Sequence, residues 1–469
     1  MSGLFGELAN GVKALTAASR SIETAGRNLA NVNNASYARQ RVVYGDRGSV
    51  QTALGVQSLG IEARQIQQLR DSLLDGQVVR ESSLLSSYQA EQAAYQRAQA
   101  NLGQSVDRTS AASQTGSTNG IAEALSGFFT AFGRFAASPT DTGERLGLIQ
   151  KAGILTDTLN ETDSRLAQLQ TDLTTQANSD IDEINGMLSS IAELNSQIGR
   201  LEINQPGSAV DLRDQRQAVV EKLAQKMSIE VQPDLSAPGQ IQVFGRDASN
   251  NPVQLINLAS VTGPVTLTGS TVSAGSPATA LVLRGGSLNG RLTARDGAIT
   301  DLRTNLDNLA RQLVTSVNAA YNPTGTTGNF FDPAGTTAGT IAMAGTVTAA
   351  NLKASDGGAA GDAPIARAVA ALANTTFTTP ANAIAGTFSQ FYTRTVTDLG
   401  QALTTANTHV TSQSSIATLV RSQRDSVSGV SLDEEMADLI KYQRAFQASS
   451  RVIQVIDELL DAVVNRLGA

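Results

Sequence analysis

Both ends of the chain carry a strict heptad stripe. Leu4, Leu8, Gly11, Leu15, Ala18, Ile22, Ala25, Leu29 and Val32 follow one another at four-then-three spacing, the period that puts every member on one face of a supercoiling helix. Gly11, Ala18 and Ala25 leave room for a neighbouring backbone. At the α-helical rise this first helix is roughly 40 Å long. Near the other end, Leu439, Tyr442, Phe446, Ser449, Ile453, Ile456, Leu460, Val463 and Leu467 keep a three-four alternation. Ser431 is placed to cap that helix, and Asp433, Glu434 and Glu435 put negative charge on its first turn, where the helix dipole favours it.

Chain ends normally fray, so stripes this long must be covered. An antiparallel hairpin of the two helices is one way to cover them. Val12, Ala14, Ile440, Val452, Val455, Leu459 and Val464 lie off the stripes, however, and widen each one beyond what a two-helix seam hides. The pattern favours assembly, in which the same helices of neighbouring copies cover the remainder.

Between the ends the pattern is helical, then β, then helical. A long seam runs from about Leu146 to Leu201, with a skip near Ala177–Asp180 that reads as a register shift or kink. Leu302, Leu306, Leu309, Leu313 and Val317 mark a further helix, and Val396, Leu399, Leu403, Ala406, Val410, Ala417 and Val420 another. Shorter helices fit 71–105, 121–136 and 212–225. From Ile229 to Leu283 short alternating runs (241–243, 265–268, 281–283) are punctuated by Pro233, Pro238, Pro252, Pro264 and Pro277, the mark of a small β domain. Residues 322–363 are rich in Gly, Thr and Ala and read as β-turns and surface loop, with at most a hairpin.

The expected fold class is therefore mainly α with a β insertion, elongated and multi-domain. Residues 1–34 and 432–469 form a terminal coiled coil, 35–230 and 285–431 a helical domain, and 231–284 the inserted β domain. With 12 Phe, 7 Tyr and no Trp in 469 residues, the aliphatic composition suggests many thin helix–helix seams.

Composition then excludes chemistry. There is no Cys and one His, His409, so thiol nucleophiles, disulfides and Cys-ligated metals are impossible. A Ser-His-Asp triad or a His-ligated metal would rest on His409 alone, and no Asp or Glu stands within four residues of it. A net charge of −7 without a basic block argues against nucleic acid. No apolar run approaches the ~20 residues that span a bilayer, and the first eighteen residues lack the pattern of a cleavable signal peptide. Gly285–Gly290 is followed by no Gly-Lys-Ser/Thr and reads as a tight reversal out of the β domain. Asp180, Asp182, Glu183 and Asn185 read as a solvated helix face. In Asp211-Leu-Arg-Asp-Gln-Arg216 like charges recur at i,i+3, a mildly repulsive spacing, so their partners must come from elsewhere in the structure. No catalytic, cofactor or metal residue is expected, and no enzyme activity.

Asn28-Leu-Ala-Asn-Val-Asn-Asn-Ala-Ser-Tyr-Ala-Arg-Gln40 resembles the signature that follows the N-terminal helix in the flagellar axial family of rod, hook and hook-associated proteins. Ser431–Met436 with Tyr442–Ser449 resembles the matching C-terminal signature. Asp211–Arg216, Gly285–Asp296, Phe330–Asp332 and Ser428–Asp433 resemble the hook-associated branch rather than hook protein or flagellin. The family usually has Gly where this chain has Ser36; if a left-handed residue is needed there, Asn33 or Asn34 can supply it.

The resemblance implies a secreted, non-enzymatic building block exported by the flagellar type III apparatus. It self-assembles as a ring at the junction of hook and filament. Implied partners are other copies, hook protein, the second junction protein and a cytoplasmic export chaperone on the C-terminal helix, with no nucleic acid and no membrane insertion. The expected assembly interface comprises Leu8, Leu15, Ile22, Leu29, Asn31, Asn33, Tyr37, Leu439, Tyr442, Phe446, Ile453, Ile456, Leu460 and Val463. The alternatives are another flagellar axial protein or an adhesin-like secreted coiled coil that grips its partner with the β insert.

Overall fold

The computed structural model describes residues 2–52, 55–103, 120–325, 328–357, 359 and 361–462. The helices are α1 (Ser2–Ala30), α2 (Ser72–Asn101), α3 (Ile121–Ala137), α4 (Thr142–Glu202) and α5 (Val210–Lys226). They continue with α6 (Ser287–Asp296), α7 (Ala298–Tyr321), α8 (Pro364–Ala371), α9 (Phe388–Ser428) and α10 (Leu432–Asp461). Four strands precede α2: β1 (Gln40–Asp46), β2 (Ser49–Thr52), β3 (Gly55–Ser58) and β4 (Ile61–Gln68). Seven more follow α5: β5 (Glu230–Pro233), β6 (Ile241–Arg246), β7 (Pro252–Asn257), β8 (Ser260–Val261), β9 (Thr266–Thr268), β10 (Thr271–Ala274) and β11 (Thr279–Leu281). The fold is mainly α with small sheets, as the periodicity requires. The chain divides into two compact units, one of Met1–Leu84, Asp182–Gly286 and Gln413–Ala469, the other of Leu85–Ile181 and Ser287–Ser412.

Among the described residues all the sheets lie in the first unit. The seven strands after α5 make a four-stranded sheet, β5-β6-β7-β8, and a three-stranded one, β11-β10-β9, each antiparallel throughout. The strands before α2 are absent from the sequence reading. β1 pairs antiparallel with β4, Gln40 opposite Gln68, with a register shift between Val43 and Tyr44. β2 and β3 close a hairpin between them. This ribbon packs against α1, and its Gln- and Arg-rich strands carry too few apolar residues to announce a buried face.

The second unit has one core. Phe128, Phe129, Phe132 and Phe135 of α3 meet Phe330, Phe331, Phe377 and Phe388, together with the apolar faces of α4 and α7. The rings pack edge to face, Phe128 on Phe132 with centroids at 5.1 Å and Phe330 on Phe331 at 5.0 Å, a favoured geometry for aromatic quadrupoles. The expectation of thin seams alone is thus wrong for this unit, where the few aromatic residues are concentrated. The surface-loop reading of 322–363 fails with it: Phe330, Phe331, Ile341 and Leu352 are buried in the core. Asn318 on α7 fixes that segment, accepting at Oδ1 from the Phe330 and Phe331 N–H groups and donating to the Phe331 carbonyl at 2.9 Å.

Three further expectations change. α4 is helical without interruption through 177–180. Its seam residues Leu148, Leu155, Leu159, Leu166, Ile184, Leu188, Ile191 and Ile198 are fully buried, but Leu201 is exposed because the helix ends at Glu202. Asp180 is not solvated: it is buried and bonded by Arg291 and Ser287 of α6. Gly286, at φ +85°, and Gly290 explain the tight reversal. A Cβ on Gly286 would meet the Lys226 carbonyl at 2.3 Å, and one on Gly290 the Ser87 carbonyl at 2.0 Å, so neither position accepts a side chain.

Candidate assembly interface

α1 and α10 pack as an antiparallel hairpin within the first unit. Gly11 lies beside Ile453 at one end and Asn28 bonds Glu435 at the other. Small residues let the axes approach, so Gly11, Ala17, Ala18 and Ala25 are buried on α1, together with the polar Ser21, Thr24 and Asn28. Leu8, Leu15, Ile22 and Leu29 are only half-buried. On α10 Ile456 is buried, Leu439, Tyr442, Ile453 and Leu460 are half-buried, and Phe446 is exposed. Val463 lies outside the described residues. A Cβ at Gly11 would stand 3.0 Å from Ile453 Cγ1. Gly11→Val therefore overfills the seam, and thermal unfolding followed by circular dichroism should show a loss of about 1–3 kcal/mol.

The hairpin hides only one side of each helix. Phe5 and Val12 on α1, and Leu432, Met436, Ile440, Val452, Val455 and Leu459 on α10, are about half exposed. On α10 these fall in two groups, one over the first three turns and one over the last three.

A polar latch closes the end of the hairpin. Asn28, 1% exposed, accepts at Oδ1 from the Tyr37 hydroxyl (2.8 Å) and the Gln40 N–H (3.0 Å). Its Nδ2 donates to the Gln40 carbonyl (2.8 Å) and to Glu435 Oε2 (2.9 Å). Arg39 binds Glu435 and Glu434, both at 2.6 Å. The segment between is held from outside: Arg424 donates to the Ala35 carbonyl, Arg70 to the Ser36 carbonyl, and the Arg39 N–H to the Ser428 carbonyl. Burial, then the Asp214 and Asp211 charges, push the Tyr37 hydroxyl pKa up, keeping it a proton donor to Asn28.

Of the two other expected residues here, Asn31 bonds back to the Arg27 carbonyl and Asn33 is exposed. No left-handed residue is used around Ser36. Among the described non-glycine residues only Asn250 and Leu258 have positive φ. Two successive turns carry the chain instead, with the Ser36 N–H donating to Asn34 Oδ1, so Ser is accommodated without strain.

α5 explains the spacing in Asp211–Arg216. Asp211 accepts from Gln40 and lies 3.7 Å from Arg27, while Asp214 accepts from Arg70 at 2.6 Å and the Ala38 N–H at 3.2 Å. Arg213 holds Glu202, and Arg216 donates to Asn195 and the Gly239 carbonyl. The acids thus serve the latch, and the arginines tie α5 to the end of α4 and to the turn before β6. Sequence reasoning missed Asn28, Arg39, Arg70, Arg424 and Glu435 as latch members. The visible signal was a polar Asn beside the apolar stripe.

His409 is exposed on α9 and its ring packs on Tyr88 at 4.7 Å. Among the described residues no group of three His, Cys, Asp or Glu side chains is placed to hold a metal ion, and no helix is long and apolar enough to cross a membrane.

Two family models match the chain: the "Flagellar hook-associated protein FlgK helical domain" over residues 106–331 and the "Flagellar basal body rod FlgEFG protein C-terminal" over residues 421–467. Flagellar hook-associated protein 1 of Bacillus subtilis is 25% identical over 100% of this chain and 99% of its own length. The protein of that name from Escherichia coli is 24% identical over 97% and 98%, and that from Salmonella typhimurium 24% identical over 99% and 100%. A solved structure of the flagellar hook junction protein FlgK from Burkholderia pseudomallei aligns with 52% of this chain and 43% of its own, at 24% identity and a TM-score of 0.43. Terminal helices with half-covered apolar faces and a rod-type C-terminal match place the chain among the axial structural proteins of the bacterial flagellum. Within that class the chain is similar to flagellar hook-associated protein 1, through the helical-domain model and through relatives aligned over nearly all of its length. The family is structural rather than enzymatic.

Proposed function

We propose that the chain is a subunit of the junction between hook and filament, added to the axial structure through the uncovered face of its terminal hairpin. The observation that carries this reading is the apolar surface left on α10, centred on Val452, Val455 and Leu459. Covering the half of each side chain that is still exposed contributes on the order of 1 kcal/mol, a gain that the monomer in water lacks. The half-buried stripe residues Leu8, Leu15, Ile22, Leu29, Leu439, Tyr442, Ile453 and Leu460, with the exposed Phe446, form the body of the interface, Ile456 supports it from inside the hairpin, and Asn31, Asn33 and Tyr37 are its polar end.

In this reading residues 1–34 and 432–469 are the assembling part, 35–230 and 285–431 a helical body, and 231–284 a β domain outside the polymer contact. Copies of the chain form a ring, with hook protein on one side and the second junction protein on the other. Before export a cytoplasmic chaperone covers the C-terminal helix, whose apolar face otherwise invites aggregation.

Electron microscopy of a strain lacking the gene tests the role. The expected result is hooks without filaments, with flagellin shed into the medium, and recovery on complementation. Filaments of normal number and length in that strain would falsify the junction assignment.

A further inference from the structure

We propose that the cleft between α2, α5 and the β5–β6 edge binds a small oxyanion of the phosphate class, with Arg216 as its principal donor. The cleft has a volume of about 300 Å³ and lies within the first unit. Arg70, Arg213 and Arg216 converge on it, and Val79, Val220 and Val231 supply an apolar wall.

Arg216 is a buried cation without an anion. It is 8% exposed, and its Nη1 donates to two neutral oxygens, Asn195 Oδ1 and the Gly239 carbonyl, each at 2.7 Å. Glu202, the acid whose charge it feels, is already bonded to Arg213 through both carboxylate oxygens. The Arg216 Nε and Nη2 therefore have no acceptor among the described residues. Burial and then the neighbouring Arg213 charge push its pKa down, as expected for a guanidinium held where its charge is uncompensated.

A buried charge without a partner is costly, and a planar guanidinium matches two oxygens of an oxyanion at once. The apolar wall lowers the local dielectric and strengthens such bonds. Asp75 also lines the cleft, but Arg70 takes up its charge at 3.0 Å, so it does not repel an anion held at Arg216.

Scanning calorimetry of the full chain in sodium phosphate, against sodium chloride at the same pH and ionic strength, reads the site. At tenfold its dissociation constant, phosphate should raise the unfolding midpoint by about 1.5 °C. Gly76 lines the cleft, is exposed, and has nothing within 4 Å of an added Cβ, so variants there fold. Gly76→Glu brings a carboxylate to the cleft: it should raise the midpoint in chloride above that of Gly76→Gln and abolish the phosphate response, which Gly76→Gln retains. Equal midpoints of the native chain in phosphate and chloride, as a cleft filled only by water would give, overturn the proposal. So does an undiminished phosphate response in Gly76→Glu.

Discussion

Leu459→Asp should leave the folded monomer unchanged and remove it from the polymer. Leu459 is 50% exposed, as are its neighbours Val452 and Val455 to a similar degree. An aspartate there points into water, and substitutions at such surface positions usually stay within about 0.5 kcal/mol. In an assembled contact the same carboxylate loses its hydration, at a cost of several kcal/mol per ion, and the apolar gain of the leucine is lost as well. Together these exceed about 4 kcal/mol, or a thousandfold in subunit affinity, and every copy in the polymer carries the lesion. Circular dichroism melting of the monomer should match the native chain, while immunoblots of sheared flagella from a complemented deletion strain show no incorporation. Swimming at the native rate would count against the assembly face. Ile456→Asp is the contrasting case: Ile456 is 7% exposed inside the hairpin, so that variant loses the α1–α10 pairing before assembly is reached.

This distinction between Leu459 and Ile456 shows what periodicity can and cannot convey. The terminal helices are legible because a heptad is a local property, repeated over eight turns. Depth of burial along the seam is not local. Gly11, Ala18 and Ala25 are buried while Leu8, Leu15 and Ile22 stay half-exposed, because the partner helix approaches over the smallest residues. Asn28 and Glu435 are 407 positions apart, and no pattern in either segment names the other. Glu435 reads as a favourable first-turn charge, which it is, while its carboxylate also closes the latch. The segment 322–363 hides for a different reason: Phe330, Phe331, Ile341 and Leu352 follow no period, and their burial depends on a side chain of α7, Asn318, replacing the missing secondary structure. Residues 40–68 form strands whose apolar positions are too sparse to register.

Asn28→Asp should unfasten the hairpin at neutral pH and spare it in acid. The Asn28 side chain both donates and accepts in the latch, and its Nδ2 faces two acceptors, the Gln40 carbonyl and Glu435 Oε2. Aspartate puts an oxygen in place of that donor, 2.9 Å from a carboxylate that is itself 3% exposed. Two carboxylates so close cannot both ionise cheaply, and breaking a buried, hydrogen-bonded network of this kind costs about 3–5 kcal/mol. The shared proton raises the folded-state pKa of the pair above the ordinary value near 4. Such a group contributes stability in full below its unfolded pKa and loses it as pH rises through the folded one. The deficit against the native chain should therefore be small near pH 4 and grow to its full size by pH 7. Hydrogen exchange at the α1 and α10 amides, measured at both pH values, reports it directly. Adding Glu435→Gln restores a donor facing the new carboxylate and should return part of the loss at pH 7, with the Arg39–Glu434 pair left to hold the turn. A deficit that is equal at both pH values, or a double variant no better than the single one, would place the damage elsewhere than in the Asn28–Glu435 bond.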